Sequence, residues 1–259
     1  MKRLLFIIFI FFLSITSVYL WSNHLAFKKQ TSSTLLSPSP SNAPLPSEYT
    51  QTISYNGALY AYEYFIVDNL KKVTLIANFK ERKSSNELKT EFHCKAGING
   101  SFYDKEGNPL GGFTTGGEIL RKPISSRLMD GYLSIDETKA KIGFTPLLNA
   151  SIVLQAGPLL LIDRVVTTLK ITSDEQARRS IAAVTDDKKL VFLTLFDPQS
   201  AYQGPYLSDL PLIMREISKV LSSPIVSAIN LDGGNASAFF SENTTLSELS
   251  PIGSLFCLQ

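Results

Sequence analysis

The fold of this chain turns on residues 208–234, SDLPLIMREISKVLSSPIVSAINLDGG. Leu210, Ile213, Met214, Ile217, Val220 and Leu221 recur at helical spacing, with Ser208 or Asp209 placed to cap and Pro211 suited to a first turn. Pro224 prevents the helix from continuing, and residues 225–231 form an apolar run of the length expected for a buried strand. Just upstream, residues 180–185 and 190–196 flank Asp186-Asp187-Lys188-Lys189, the pattern of a hairpin with a four-residue loop. Strand, helix and strand together predict a crossover unit.

Working outward, residues 59–67 are aromatic and β-branched and end at the turn pair Asp68-Asn69. Residues 73–78 follow, so the two runs read as a strand pair. Residues 84–92 predict a short helix, with Ser84 or Ser85 as its cap and Glu87 in its first turn. Short strands are expected at 96–99, 132–135, 141–144, 152–155 and 159–162, most of them bounded by Gly, Pro or Asp. The sum is an α+β chain: a single strand-rich domain with a mixed sheet and few helices.

That domain occupies residues 49–259, long enough for one sizeable core. Residues 1–22 place Lys2 and Arg3 before an uncharged apolar run over 4–20, the pattern of a signal anchor or a signal peptide. As an anchor it would leave the domain outside the cytoplasm; as a cleaved signal it would release it. Residues 23–48 include TSSTLLSPSPSNAPLPS, a Ser/Thr/Pro-rich composition that reads as a flexible tether.

A formal net charge of +2, with no long basic run, argues against nucleic acid as a partner. Cys94 and Cys257 are the two cysteines, too few for a disulfide-dense scaffold. In an oxidising compartment they would either pair or remain buried thiols. With His24 in the tether and His93 as the only histidines, a zinc site has too few ligands.

Three turns carry candidate chemistry. Asp232-Gly233-Gly234 follows the strand at 225–231, where crossover units commonly place ligands at strand carboxyl ends. The glycines allow close backbone approach, and their N–H groups can face an anion. An ordinary Asp-Gly turn is the plainer reading. Asn99-Gly100-Ser101-Phe102-Tyr103-Asp104 likewise runs from a short apolar strand into a small polar turn. Asn99 offers both an amide donor and a carbonyl acceptor, a match for a sugar hydroxyl. In Gln155-Ala156-Gly157-Pro158, a bend between two apolar strands would bring Gln155 near a cavity, or else forms a plain strand connection. Finally, Arg178-Arg179 precedes a strand and offers a planar fork to phosphate, or else forms a solvated pair of charges.

Taken together and in order, these segments resemble the phosphodiester glycosidase family over residues 59–240. The resemblance rests on Ala96-Gly97-Ile98-Asn99-Gly100-Ser101-Phe102-Tyr103, Pro109-Leu110-Gly111, Gly117-Glu118, Gln155-Ala156-Gly157-Pro158-Leu159-Leu160, Arg179-Ser180-Ile181-Ala182 and Asn230-Leu231-Asp232-Gly233-Gly234. It implies hydrolysis of a sugar-1-phosphodiester in an envelope or extracellular glycan, with no required cofactor. Arg179 would hold the phosphate, Asp232 would act as base or nucleophile, and Asn99 would bind the sugar. Gly100, Ser101, Asp104, Gln155, Gly157, Gly233 and Gly234 would complete the substrate site. Where the family often has a Ser two residues after the double glycine, this chain has Asn235-Ala236, so Ser237 would substitute from a shifted position. A non-catalytic glycan-phosphate binding module is the alternative that this departure leaves open. Asp104 and Asp232 could share a Ca²⁺ ion, which takes oxygen ligands, if the fold brings them together.

Overall fold

The computed structural model describes residues 51–259; the expected anchor at 1–22 and tether at 23–48 lie outside the described residues. Seventeen strands, numbered in chain order, form three sheets among them. The largest runs, in spatial order, β1 (Gln51–Tyr55), β2 (Ala58–Val67), β13 (Leu190–Phe196), β12 (Arg179–Thr185), β14 (Ile225–Asn230), β10 (Leu159–Ile162) and β11 (Val165–Val166). A second contains β16 (Thr245–Leu246), β15 (Phe239–Phe240), β4 (Ala96–Asn99), β17 (Ser254–Leu258) and β3 (Val73–Ala77). The third contains β6 (Glu118–Arg121), β5 (Phe113–Thr115), β9 (Ile152–Ala156), β7 (Gly131–Ile135) and β8 (Ala140–Gly143).

The two α-helices described are α1 (Ser85–Glu91) and α2 (Leu210–Val220). Ser84 caps α1 and exchanges hydrogen bonds with Glu87 in a capping box, as the sequence pattern predicts. Asp209 stands before α2 but makes no side-chain capping bond. None of the described helices is long and apolar enough to cross a membrane.

Side-chain alternation explains the layers. Along β13, Leu190, Phe192 and Phe196 join a core shared with the second and third sheets, while Val191, Leu193 and Leu195 face the other way. That second face is covered by Leu210, Ile213, Met214 and Ile217 of α2. A third cluster packs Leu88 of α1 against Leu255 and Cys257 of β17, beside the Cys94–Cys257 disulfide.

The structure corrects two expectations. β2 and β3 are not partners: β2 lies between β1 and β13, and β3 pairs with β17 in a different sheet. The short 3-10 turn Leu70–Lys72 redirects the chain, and the two faces of β2 serve different cores, with Tyr60 and Tyr62 on one and Ala61 on the other. The sheet expected to be mixed has antiparallel neighbours at each pairing described. The unit β13–α2–β14 is a crossover between parallel strands, but β12 sits between them and runs opposite to both.

Candidate active site

The start of β12, the end of β14 and the start of β10 meet at one end of the large sheet, with Ile181 opposite Asn230 and Leu159 opposite Ile229. The turn after β14 is held from three directions. The Leu231 N–H donates to Ser180 O, the Asp232 N–H to Gly100 O and the Gly234 N–H to Arg178 O. Gly234 takes φ +63, the left-handed conformation that favours glycine. Asp232 therefore sits where the large sheet meets the turn following β4.

A cavity of about 490 Å³ opens there. Arg179, Asp174, Asn230, Asp232, Gly233 and Gly234 form its polar side. Phe102, Leu110, Leu128, Met129, Pro158 and Leu207 give it apolar walls. Gly157, joined to Pro158 by a cis peptide, lines it too; a Cβ there would come within 2.2 Å of Leu128 O, so the position admits no side chain.

Electrostatics separate the two carboxyls of this cavity. Asp232 keeps only a partly exposed surface, and burial pushes its pKa up to about 7 against the smaller lowering effect of the Gly233 N–H. Asp174 is pushed up by burial, but the N–H groups of Ser208 and Leu207 and the nearby Arg179 outweigh that and leave it below its ordinary value. One carboxyl is thus poised to exchange a proton near neutrality while the other stays ionised, the kind of divergence found among acid–base groups.

Arg179 is mostly buried and braced. Its Nε donates to Pro205 O over 3.0 Å, its Nη2 donates to Glu175 O, and the same Nη2 lies 3.6 Å from the Asp174 carboxylate. Its Nη1 has no hydrogen-bond partner among the described residues, which leaves one arm of the fork for a ligand. Burial lowers the Arg179 pKa, with Asp174 and Glu175 acting the other way. Arg178, its neighbour, is spent on the fold: Nη1 donates to Ala201 O, and Nη2 donates to Ser237 O and Ser247 O.

The remaining sequence candidates take varied places. Asn99 is 1% exposed and does not line the cavity. Its Nδ2 donates to Asp232 O over 2.6 Å, and its Oδ1 accepts from Ser180 Oγ and from the Ala238 N–H. Gly100 supplies the carbonyl that holds Asp232 N, and Ser101 Oγ bonds Ser254 Oγ. Ser237 is fully buried, its Oγ 2.8 Å from Ser180 Oγ. Asp104 caps its own turn by accepting from Asn108 N and lines a different cavity with Arg82 and Tyr103. No cluster of three or more His, Cys, Asp or Glu occurs among the described residues, and Asp104 and Asp232 line separate cavities.

Gln155 lies beneath the cavity wall. Its Oε1 accepts from the Gly112 and Ile124 N–H groups, and its Nε2 donates to Ile124 O and Met129 O. One carboxamide thereby fastens both ends of the loop that carries Leu128. Sequence reasoning missed several polar residues of the cavity, Asp174 among them, and assigned no role to Asn230, whose Nδ2 donates to Gly157 O while its Oδ1 is buried without a partner. For Asp174 the available signal was an acidic pair, Asp174-Glu175, just ahead of Arg178-Arg179.

Comparison with known proteins identifies a family and a shared fold. A family model described as phosphodiester glycosidase matches residues 92–255. A search of curated sequences finds no match. Among solved structures, the zebrafish N-acetylglucosamine-1-phosphodiester alpha-N-acetylglucosaminidase catalytic domain, auto-inhibited by its pro-peptide, superposes with a TM-score of 0.63 at 16% identity. The match covers 82% of this chain and 81% of that one. A hypothetical protein from Synechocystis gives a TM-score of 0.62 at 12% identity, over 80% of this chain and 61% of that one. A protein described as exported, from Burkholderia pseudomallei, gives 0.58 at 12% identity, over 79% and 75%. These likenesses establish a shared fold.

Proposed function

The chain belongs to the phosphodiester glycosidase family, and on that premise we propose that it hydrolyses a sugar-1-phosphodiester outside the cytoplasm. One observation carries the reading: Arg179, with an unengaged Nη1, and Asp232, with its raised pKa, line the same cavity. The Arg179 fork holds the phosphodiester, where a planar cation suits non-bridging oxygens. Asp232, once ionised, takes a proton from the water that attacks the anomeric carbon, or attacks that carbon itself. The bond from C1 to the phosphate oxygen breaks, its electron pair leaves with the phosphate, and the products are a free sugar and a phosphomonoester. Such a leaving group needs little protonation, so a cation and one carboxylate suffice for the developing charges. Asn99 acts by positioning, because its amide holds the Asp232 main chain. The Cys94–Cys257 disulfide fits an oxidising, extracytoplasmic compartment.

A second reading has its own observation. Ser237 Oγ bonds Ser180 Oγ in the core, and Ala236 stands two residues after the double glycine, where the family often has a Ser. A cavity without that hydroxyl would suit a membrane-tethered module that binds glycan phosphate and does not cleave it. The two are separated by incubating the full-length protein, in detergent, with UDP-GlcNAc and measuring free GlcNAc. Turnover that disappears in Arg179→Ala and Asp232→Asn supports the glycosidase. Turnover that survives both substitutions removes these residues from the site, and binding without turnover in the parent favours the module.

A further inference from the structure

The edge of the third sheet has an unusual surface. Strand β6 is exposed along its whole length, and residues 116–125 are exposed without interruption. Ile119 is 66% exposed, Leu120 43% and Ile124 38%, and the strip ends at Leu128, which is 55% exposed and lines the cavity. Arg121, Lys122 and Arg127 are interleaved with these side chains, while Glu118 is the one acidic residue between 110 and 129. Apolar tips among basic heads, reaching to the mouth of a cavity, are the composition of a surface that rests in a lipid interface.

We propose that residues 116–128 dock on a bilayer bearing anionic headgroups and so set the cavity mouth against the membrane. Three features favour a lipid surface over a protein strand or a second copy of the chain. The cluster Arg121-Lys122-Pro123 at the end of β6 blunts its open edge against strand pairing. The register shifts at Leu120, which has no partner between the pairs Thr114↔Ile119 and Phe113↔Arg121, and this irregularity interrupts the edge that a flat strand would pair with, whereas an interface surrounds both exposed side chains. The basic residues match anionic headgroups, each worth roughly a fivefold change in partitioning near such a surface.

The strip is also a fixed platform. Thr115 Oγ1 donates to Leu75 O over 2.6 Å, the Gly117 N–H donates to Ser151 O, and Gln155 holds Ile124 and Met129. A further consequence rests on the glycosidase reading: the diester cleaved is one carried by a lipid, delivered past Leu128 and Met129 to Arg179.

The test uses full-length protein in which Trp21 is replaced by Phe and one Trp is introduced, either by Ile119→Trp or by Leu120→Trp, with Val220→Trp on α2 as the control. Each is reconstituted into vesicles of brominated phosphatidylcholine with and without phosphatidylglycerol. The proposal requires bromine quenching at 119 and 120 at least about twofold stronger than at 220 when phosphatidylglycerol is present. It also requires that Arg121→Glu with Lys122→Glu and Arg127→Glu bring quenching down to the control level. Equal quenching at 119, 120 and 220 overturns it, as does a signal at 119 that follows protein density instead of lipid charge, which would assign the strip to a second copy. The substrate clause is read separately. The triple charge reversal should slow cleavage of a vesicle-borne long-chain alkyl GlcNAc-1-phosphodiester and leave UDP-GlcNAc turnover unchanged. If UDP-GlcNAc is not cleaved at all, the glycosidase reading falls while the docking result stands.

Discussion

The side-chain amide of Asn99 donates to the main-chain carbonyl of Asp232 over 2.6 Å, across 133 residues of sequence. The same side chain accepts from Ser180 and Ala238, so one buried amide ties the turns after β4 and β14 to the start of β12. Asn99→Ala leaves Asp232 O and the Ala238 N–H without their partner and reduces Ser180 Oγ to its bond with Ser237, and should lower unfolding free energy by about 2–4 kcal/mol. Urea denaturation measures that loss; a change below about 0.5 kcal/mol would mean that the network does not hold the turn.

Asp232 links stability to pH. Its folded pKa is raised from 3.8 to about 7, so the folded state holds a proton that the unfolded chain has released between those values. The stabilising contribution is fully present below about pH 3.8 and is lost as pH rises through about 7. Over roughly three pH units the linkage is worth at most about 4 kcal/mol, less where cavity water reaches the carboxyl. Asp232→Asn removes this term, so the stability of the parent should fall relative to the variant between those two pH values. Urea midpoints of both proteins across the range report it, and parallel curves would place the carboxyl in water.

The same carboxyl sets the activity profile. If ionised Asp232 is the base or nucleophile, kcat/KM for diester cleavage should climb with pH along a limb centred near 7. A profile flat through neutrality would move the catalytic role elsewhere.

The adjacent arginines should separate in their effects. Arg178→Met leaves the carbonyls of Ala201, Ser237 and Ser247 without their donor and should cost about 2–4 kcal/mol of stability. Arg179→Lys keeps a charge but loses the fork, so kcat/KM should fall by about tenfold or more with a smaller change in melting temperature. Thermal scans and initial rates on the two proteins settle the division, and the reverse pattern would exchange their roles.

Gln155→Leu tests whether the loop is held from beneath. Four hydrogen bonds to Gly112, Ile124 and Met129 disappear together. Amide exchange at Ile124 and Met129 should accelerate by at least about tenfold, while α2 remains protected. Unchanged exchange would show that other contacts fix the loop.

Local elements were legible because their signals are local. The Ser84–Glu87 box marks α1, and the β12–β13 hairpin follows from two apolar runs about a charged loop. Sheet partnership was not legible in the same way. Nothing within residues 73–78 indicates that β3 must wait for β17, and β12 enters between β13 and β14 without a mark in its own sequence. The Asp232 turn stood out as a carboxylate with glycines at a strand end. Asp174 did not, because its environment is made by the backbone of Leu207 and Ser208, distant in sequence. Asn99 reads equally as a sugar ligand or a brace, since a carboxamide serves hydroxyls and peptides alike, and burial alone distinguishes them.

The bridge from Cys94 to Cys257 closes a span of 163 residues. Many exposed loops of the domain, including the strip at 116–125, lie inside that closed ring. A protease that cuts within it opens the ring without releasing a fragment, so a nicked chain migrates as one species until a reductant separates the halves. In a compartment shared with proteases, a single cut therefore leaves both halves of the cavity attached, with Asn99 and Asp232 still on one covalent molecule.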